Sequence, residues 1–264
     1  MKILIFIPVY NCEKQVIRLL KRIEKVQELQ NYHYVFIDNQ SQDSTIDNLS
    51  RALTVSRITN ARIFRNEENF GLGGSHKIAF RMAEKESYEV LVTLHGDDQA
   101  NPEDLLTGVK SLIELDMDCL LGSRFKKTSK LYGYSRFRII GNQIFNILYS
   151  MRFLRLISDM GSGLNIYRTT FLQRLNLNVL PNDLTFNNKL LIDTIRMGSR
   201  LDFFPISWQE IDQASNAKLF TQAKTIIGLL LHSYRLVDAQ ASTKIEMKTE
   251  CVFQKQMGIV NCEF

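Results

Sequence analysis

The stretch Glu89-Val90-Leu91-Val92-Thr93-Leu94-His95-Gly96-Asp97-Asp98-Gln99-Ala100-Asn101-Pro102 joins a short apolar run to a turn of acid and amide residues and then to a proline. The run from Glu89 to Leu94 has the length and composition of a strand, and it stops at a glycine-containing turn. Pro102 suits the first turn of a helix, with Asn101 as its cap. A strand is therefore expected to end in a cluster of oxygen-bearing side chains, with a helix directly after it.

The same alternation extends upstream. Ile3 to Val9 reads as a strand, and Val16, Leu19, Leu20, Ile23 and Val26 then recur at helical spacing. Tyr34 to Ile37 is a second strand ending at Asp38, with a helix starting near Thr45. Ile63-Phe64 is a short third strand, and a glycine-containing loop leads to a helix from Lys77 to Glu86. Strand and helix in alternation predict an α/β fold: a Rossmann-like, mostly parallel sheet flanked by helices on both faces. In such sheets ligands bind beyond the carboxyl ends of the strands. Tyr10, Asn11 and Glu13, the segment Asp38 to Asp43, and His95 to Gln99 are thus expected to converge on one crevice.

At 264 residues, 45% apolar and 23% charged, the chain can build one sizeable core. Cys12, Cys119, Cys251 and Cys262 lack the Cys-x-x-Cys spacing of a zinc or redox site and read as reduced thiols, consistent with a cytoplasmic protein. The apolar run before Pro8 is shorter than a signal sequence requires, and Ile226 to Leu231 is far short of the roughly 20 residues that span a bilayer. The net charge of +5 is unevenly spread: Arg124, Lys126, Lys127, Lys130, Arg136, Arg138, Arg152 and Arg155 fall between Cys119 and Ser158, where there is no Asp or Glu. Such a block is either a solvated basic face or a surface for an anionic partner such as a pyrophosphate, a lipid phosphate or an anionic membrane. No DNA- or RNA-binding motif accompanies it, so nucleic acid is not expected. The tail from about residue 237 is polar and aperiodic, and is expected to be poorly ordered.

Three motifs can carry chemistry. Asp97 and Gln99, with His95, offer the oxygen and imidazole ligands that suit Mg²⁺ or Mn²⁺ beside a diphosphate, although a solvated acidic turn reads equally well from these residues alone. Asp38 at the tip of the second strand can bond a base or ribose, whereas Asp43, Ser41 and Ser44 can cap the next helix. Gly71-Leu72-Gly73-Gly74 permits close backbone approach to a ligand. It lacks the later glycine of Gly-x-Gly-x-x-Gly and follows the third strand, which disfavours a nicotinamide dehydrogenase.

In order and spacing, these elements resemble the family 2 glycosyltransferases of GT-A fold, in particular the polyprenol-phosphate sugar transferases such as dolichol-phosphate mannose synthase. The resemblance covers roughly residues 3–218 and rests on seven segments. They are Ile7-Pro8-Val9-Tyr10-Asn11-Cys12-Glu13, the Asp38 to Thr45 turn, Asn69-x-Gly71, His95-x-Asp97-x-Gln99, Pro102-Glu103, Gly122-Ser123-Arg124 and Asp159-Met160-Gly161-Ser162-Gly163. It implies a single domain over 1–236, with a nucleotide-sugar part to about 123, an acceptor part from 124, and the tail 237–264 outside it. Pro8, Tyr10, Glu13, Asp38, Gly71, Asp97 and Arg124 would bind the nucleotide sugar, and Asp97, Gln99 and His95 a divalent metal, Mg²⁺ or Mn²⁺. Arg138 and Ser215 would face the acceptor, a polyprenol phosphate or a saccharide. Asp159 is the first candidate for the base that a hydroxyl acceptor needs, ahead of Asp183 and Asp212, and Asp97 stands with it in the catalytic set.

Two departures qualify the resemblance. His95 stands where the family usually has the first acid of Asp-x-Asp, which removes a negative charge. Glu210 and Asp212 stand where the polyprenol-phosphate branch has an arginine and a glycine before the serine, and acids repel a phosphate acceptor. The expected activity is an inverting, metal-dependent hexosyl transfer in cell-envelope glycan or glycolipid synthesis, at the cytoplasmic face of a membrane contacted through residues 124–155. The alternative is a catalytically weak member that binds a nucleotide or a partner transferase. The apolar face Ile139, Ile140, Ile144, Phe145, Ile147 and Leu148 is either a lipid-binding surface or an ordinary core helix.

Overall fold

The computed structural model describes residues 1–212, 227–228, 230, 247–256 and 259–261. Its strands are β1 (Ile3–Val9), β2 (His33–Asp38), β3 (Asn60–Asn66), β4 (Val90–Leu94), β5 (Cys119–Ser123), β6 (Lys130–Tyr132), β7 (Leu164–Arg168), β8 (Leu201–Pro205), β9 (Ser207–Gln209), β10 (Thr249–Gln256) and β11 (Ile259–Asn261). The helices are α1 (Gln15–Glu24), α2 (Thr45–Val55), α3 (Gly71–Lys85), α4 (Asp104–Glu114), α5 (Arg136–Phe153), α6 (Thr169–Leu172) and α7 (Phe186–Arg196).

The sheet runs β11-β10-β3-β2-β1-β4-β7-β5-β8. β3, β2, β1 and β4 are parallel, as are β5 and β8, while β7 lies antiparallel between β4 and β5. β1 is central because both of its faces are apolar. Ile3, Ile5, Ile7 and Val9 pack with α1, α2 and α4, whereas Leu4 and Phe6 pack with α3, α6 and α7. The amphipathic stripe Val16, Leu19, Leu20 and Ile23 of α1 covers the first face, all four side chains being buried. The mostly parallel α/β sheet with helices on both faces is thus present as the sequence predicts.

Several boundaries differ from the sequence reading. β3 is longer than Ile63-Phe64 because β2 and β10 pair along its length. α3 begins at Gly71, six residues before Lys77, and α4 begins at Asp104 after a turn in which Asp104 N donates to Asn101 O at 3.2 Å. The expectation of a poorly ordered tail is corrected for residues 249–256, which form β10 antiparallel to β3. Phe253 is buried, and Lys255 Nζ donates to Leu53 O and Ser56 O at the end of α2. A register shift between Cys251 and Phe253 breaks the two-residue alternation, which hides this strand from a periodicity reading. Cys12, Cys119 and Cys251 are free thiols.

Register brings the strand ends together. Val9 lies opposite Asp38, and Phe6 opposite Thr93. Beyond these ends, Asn39 N donates to Val9 O (3.0 Å) and Gly96 N to Pro8 O (3.1 Å). A Cβ at Gly96 would stand 2.7 Å from Val9 Cγ1, so the acidic turn crosses the end of β1 only because residue 96 has no side chain.

Candidate active site

The loop after β1 and the loop after β2 lock together. Asn11 N donates to Ser41 Oγ (2.9 Å), Gln42 N to Asn11 Oδ1 (2.8 Å), Glu13 N to Asp43 Oδ2 (3.2 Å) and Ser44 N to Glu13 Oε2 (3.2 Å). Asp43 Oδ1 also accepts from Thr45 N at 3.0 Å, the helix-capping role expected of it. Tyr10 stands exposed on the rim, and Pro8 is partly buried beneath it. Asp38 is fully buried, with Ser41 N donating to both its oxygens and Arg65 Nε 3.6 Å away. Burial raises its pKa, and the bonds from Ser41 and the charge of Arg65 oppose that rise.

The glycine loop packs against the segment that precedes α7. Gly71 has φ +71°, and a Cβ there would lie 2.3 Å from Asn182 O; at Gly73 it would lie 2.3 Å from Pro181 O. The close approach that these glycines admit is by the backbone of residues 181–182, since Gly73 N donates to Asn182 O at 2.7 Å. The glycines of this loop are thus required by the fold, whatever ligand approaches Gly71. An amide network that the sequence did not reveal fixes the same corner: Asn39 Oδ1 accepts from Asn66 Nδ2 and Phe70 N, and Asn39 Nδ2 donates to Asn69 Oδ1.

In the acidic turn, Asp97 Oδ1 accepts from Gln99 N at 3.2 Å. Burial raises the Asp97 pKa, and neighbouring His95 counters it in part. His95 packs against Gly163 and lies 6.0 Å, ring to ring, from His76 under α3. Burial lowers its pKa, and the charge of Asp97 opposes that shift. Asp98 is structural. It is 1% exposed, has φ +61°, and accepts from Arg18 Nε (3.0 Å) and Arg22 NH1 (2.7 Å). Among the described residues no group of three or more His, Cys, Asp or Glu side chains gathers as a metal site. The donor set of Asp97 carboxylate and Gln99 amide oxygen fits a hard cation that takes its remaining ligands from phosphate oxygens and water.

On the far side of the turn, Arg124 and Asp159 form a buried bidentate pair. Arg124 Nε and NH2 each donate to one carboxylate oxygen at 2.8 Å. Arg124 N (3.0 Å) and Gly161 N (3.1 Å) donate to the same two oxygens. Burial disfavours the Arg124 charge, but Asp159 outweighs it and the pKa is raised. Four donors occupy the Asp159 carboxylate, which is 2% exposed. In this arrangement the carboxylate fixes the Arg124 guanidinium, a role that stands beside the expected one as a base. The other two candidates are also engaged: Asp183 Oδ1 accepts from Thr185 N (2.8 Å), and Asp212 is bidentate to Arg18 at 2.6 and 3.0 Å, which lowers its pKa. Ser215 lies outside the described residues.

Tyr134, Trp208 and Glu210 complete the wall; Glu210 was noted from sequence as an acid in the acceptor neighbourhood, whereas Tyr134 and Trp208 were not singled out. Arg124 lies over the rings of Trp208 (5.1 Å) and Tyr134 (5.4 Å), and its NH1 donates to Tyr134 Oη. Arg138 stacks on the other side of the wall, 4.7 Å from the Tyr134 centroid, and its NH1 donates to Glu210 Oε1 at 2.5 Å. Gln99 Nε2 reaches the same oxygen at 3.3 Å. Polar contacts thus run from Asp159 through Arg124, Tyr134, Arg138 and Glu210 to the Asp97–Gln99 turn. For its aromatic part, the single tryptophan beside Gln209-Glu210 was an available sequence signal.

Residues 4–176 match the family described as Glycosyl transferase family 2. Among curated proteins, the chain is 27% identical over 241 residues to a dolichol-phosphate mannosyltransferase of Pyrococcus furiosus, covering 90% of this chain and 64% of that protein. Among solved structures, it resembles glucosyl-3-phosphoglycerate synthase of Mycobacterium tuberculosis in complex with Mn²⁺, UDP-glucose and phosphoglyceric acid. That match has a TM-score of 0.61 at 17% identity, over 88% of this chain and 79% of that one. A mannosyltransferase of Pyrobaculum calidifontis in complex with GDP-mannose and Mn²⁺ gives a TM-score of 0.58 at 18% identity, over 84% and 60%. Structural likeness at such identities establishes the GT-A fold.

Proposed function

The chain belongs to glycosyl transferase family 2, and on that premise we propose that it moves a hexosyl group from a nucleoside diphosphate sugar to a polyprenol-phosphate or saccharide acceptor in cell-envelope glycan or glycolipid synthesis. The observation that carries this reading is the convergence of the Asp97–Gln99 turn with the interlocked loops after β1 and β2 at the carboxyl edge of the parallel strands. Tyr10, Pro8, Glu13 and Asp38 form the side where a base and ribose would lie. Arg124, held rigid by Asp159 and three aromatic rings, faces the sugar and diphosphate with a charge already oriented.

Asp97 and Gln99 would hold Mg²⁺ or Mn²⁺, with His95 packing behind them; the metal would neutralise charge on the departing diphosphate. Manganese in the two structural neighbours supports that choice. We assign direct displacement with inversion: the acceptor oxygen bonds to the anomeric carbon as the bond from that carbon to the diphosphate oxygen breaks and its electron pair leaves with the nucleoside diphosphate. A hydroxyl acceptor gives its proton to a base, whereas an acceptor phosphate is already ionised.

α5 supports a seat on an anionic membrane. Phe137, Ile140, Ile144, Ile147, Met151 and Leu154 recur at alternating spacings of three and four along and just beyond it, and each is more than half exposed. Basic residues flank the stripe and no acid interrupts it. No helix among the described residues is long and apolar enough to cross a membrane.

The test is release of nucleoside diphosphate from a panel of UDP-, GDP- and dTDP-sugars with Mn²⁺ or Mg²⁺, with and without acceptors. A folded protein that turns over none of them refutes the transferase reading. Donor binding by calorimetry without turnover favours a nucleotide-binding regulatory member instead.

A further inference from the structure

We propose that Glu210 sets the class of acceptor, and that the acceptor group is a neutral hydroxyl and not a phosphate; this rests on the transferase reading above. The backbone of residue 210 is held on two sides. Gln209 N donates to Gln99 O at 2.8 Å, and Glu210 N donates to Tyr132 O at 2.9 Å. Gly133, with φ +72°, admits this approach, because a Cβ there would lie 2.4 Å from Glu210 O. The side chain therefore enters the wall from a fixed point, and its Oε1 accepts from both Arg138 NH1 and Gln99 Nε2.

Charge decides what this wall can receive. An arginine already paired with a carboxylate offers an acceptor phosphate less net attraction than an unpaired one. Here Arg138 is opposed by Glu210 and Arg124 by Asp159, so each cation of the wall already has its anion. The Glu210 side chain is 19% exposed, so water screens it weakly, and a phosphate entering beside it would meet a like charge. A carboxylate can only accept hydrogen bonds, and a phosphate offers mainly acceptors, whereas a sugar hydroxyl donates. Among the described residues Glu210 Oε2 accepts no hydrogen bond, leaving an acceptor atom beside Gln99 for such a donor. Asp159, Asp183 and Asp212 already accept hydrogen bonds of their own, so on this proposal Glu210 accepts from the acceptor hydroxyl through Oε2 and takes its proton as the glycosidic bond forms.

The experiment compares the full-length protein with Glu210→Gln and Glu210→Arg, using the donor that supports nucleotide release and two acceptor probes. These are methyl glycosides of mannose, glucose and galactose, and farnesyl phosphate. The wild type is expected to use a methyl glycoside in preference to farnesyl phosphate. Glu210→Gln should reduce hydroxyl transfer about 10- to 100-fold, the scale of one charged hydrogen bond, and by a larger factor than it changes transfer to farnesyl phosphate. Glu210→Arg should move the ratio of the two activities toward farnesyl phosphate by a further factor of about 10 or more. Thermal melts establish that each variant is folded, and if Glu210→Arg is not, the ratio in Glu210→Gln decides. A wild type that prefers farnesyl phosphate, or a ratio that neither variant moves, overturns this inference and leaves the transferase reading standing. A folded wild type that releases no nucleotide from any donor removes both.

Discussion

Asn in place of Asp159 leaves the Arg124 guanidinium buried without its anion. Arg124 and Asp159 side chains are 7% and 1% exposed, so neither charge can be rescued by water. The wild-type carboxylate accepts four hydrogen bonds, two from the guanidinium and one each from Arg124 N and Gly161 N. An amide of the same shape turns one oxygen into a donor that faces other donors. Removing one partner of a buried pair costs about 3–5 kcal/mol. At roughly 2–4 °C per kcal/mol for a domain of this size, the unfolding midpoint should fall by roughly 6–20 °C. The assay is thermal unfolding by circular dichroism at fixed ionic strength, alongside nucleotide release well below the midpoint. A base would behave differently, since its removal abolishes turnover and leaves stability almost unchanged. A midpoint within about 2 °C of wild type, with turnover abolished, would refute the positioning role argued here and leave Asp159 as the base.

Four other outcomes are expected. Asp97→Asn should reduce nucleotide release about 100-fold or more and flatten its dependence on added Mn²⁺, measured by metal titration at saturating donor. Gly71→Ala places a Cβ 2.3 Å from Asn182 O at a positive φ and should destabilise by about 1–3 kcal/mol in urea unfolding, whereas Gly141→Ala, in α5 with nothing within 4 Å, should be neutral or stabilise by about 0.5–1 kcal/mol. Burial lowers the His76 pKa from 6.5 to about 3, with His95 adding to the effect. The fold thus favours the neutral ring: this contribution is complete above pH 6.5 and is lost as pH falls toward 3, by up to about 1.4 kcal/mol per pH unit. His76→Phe should flatten that slope in denaturant midpoints measured between pH 6.5 and 4. Ile144→Glu with Ile147→Glu should abolish co-sedimentation with vesicles rich in anionic lipid while leaving the melting midpoint unchanged, and retained binding would count against α5 as the seat.

Much of the donor half was legible because its signals are local. Ile3 to Val9 is apolar on both faces, so only a central strand accommodates it. Strand-end loops carry their function within a few residues, which is why the segments 10–13, 38–43 and 95–99 could be expected at one edge. Gly71 was legible as a glycine-dependent corner, but nothing near residue 71 indicates that residues 181–182 return against it. β10 escaped notice for a different reason. Its bulge between Cys251 and Phe253 disrupts the alternation that marks a strand.

The sequence by itself determined the strand and helix alternation, the mostly parallel sheet, the acidic turn after β4 and the acid-free basic segment, since each is written in residues adjacent or periodic along the chain. Which carboxylate meets which cation was decided only by the tertiary structure. Asp159 reaches Arg124 across 35 positions, Glu210 reaches Arg138 across 72, and Gln99 reaches Glu210 across 111. Those pairings depend on strand register and on β9 returning beside the acidic turn. The physical reason is that a charge has no preferred partner along the chain: packing chooses it, and with it whether an acid serves as a base, a clamp or a filter.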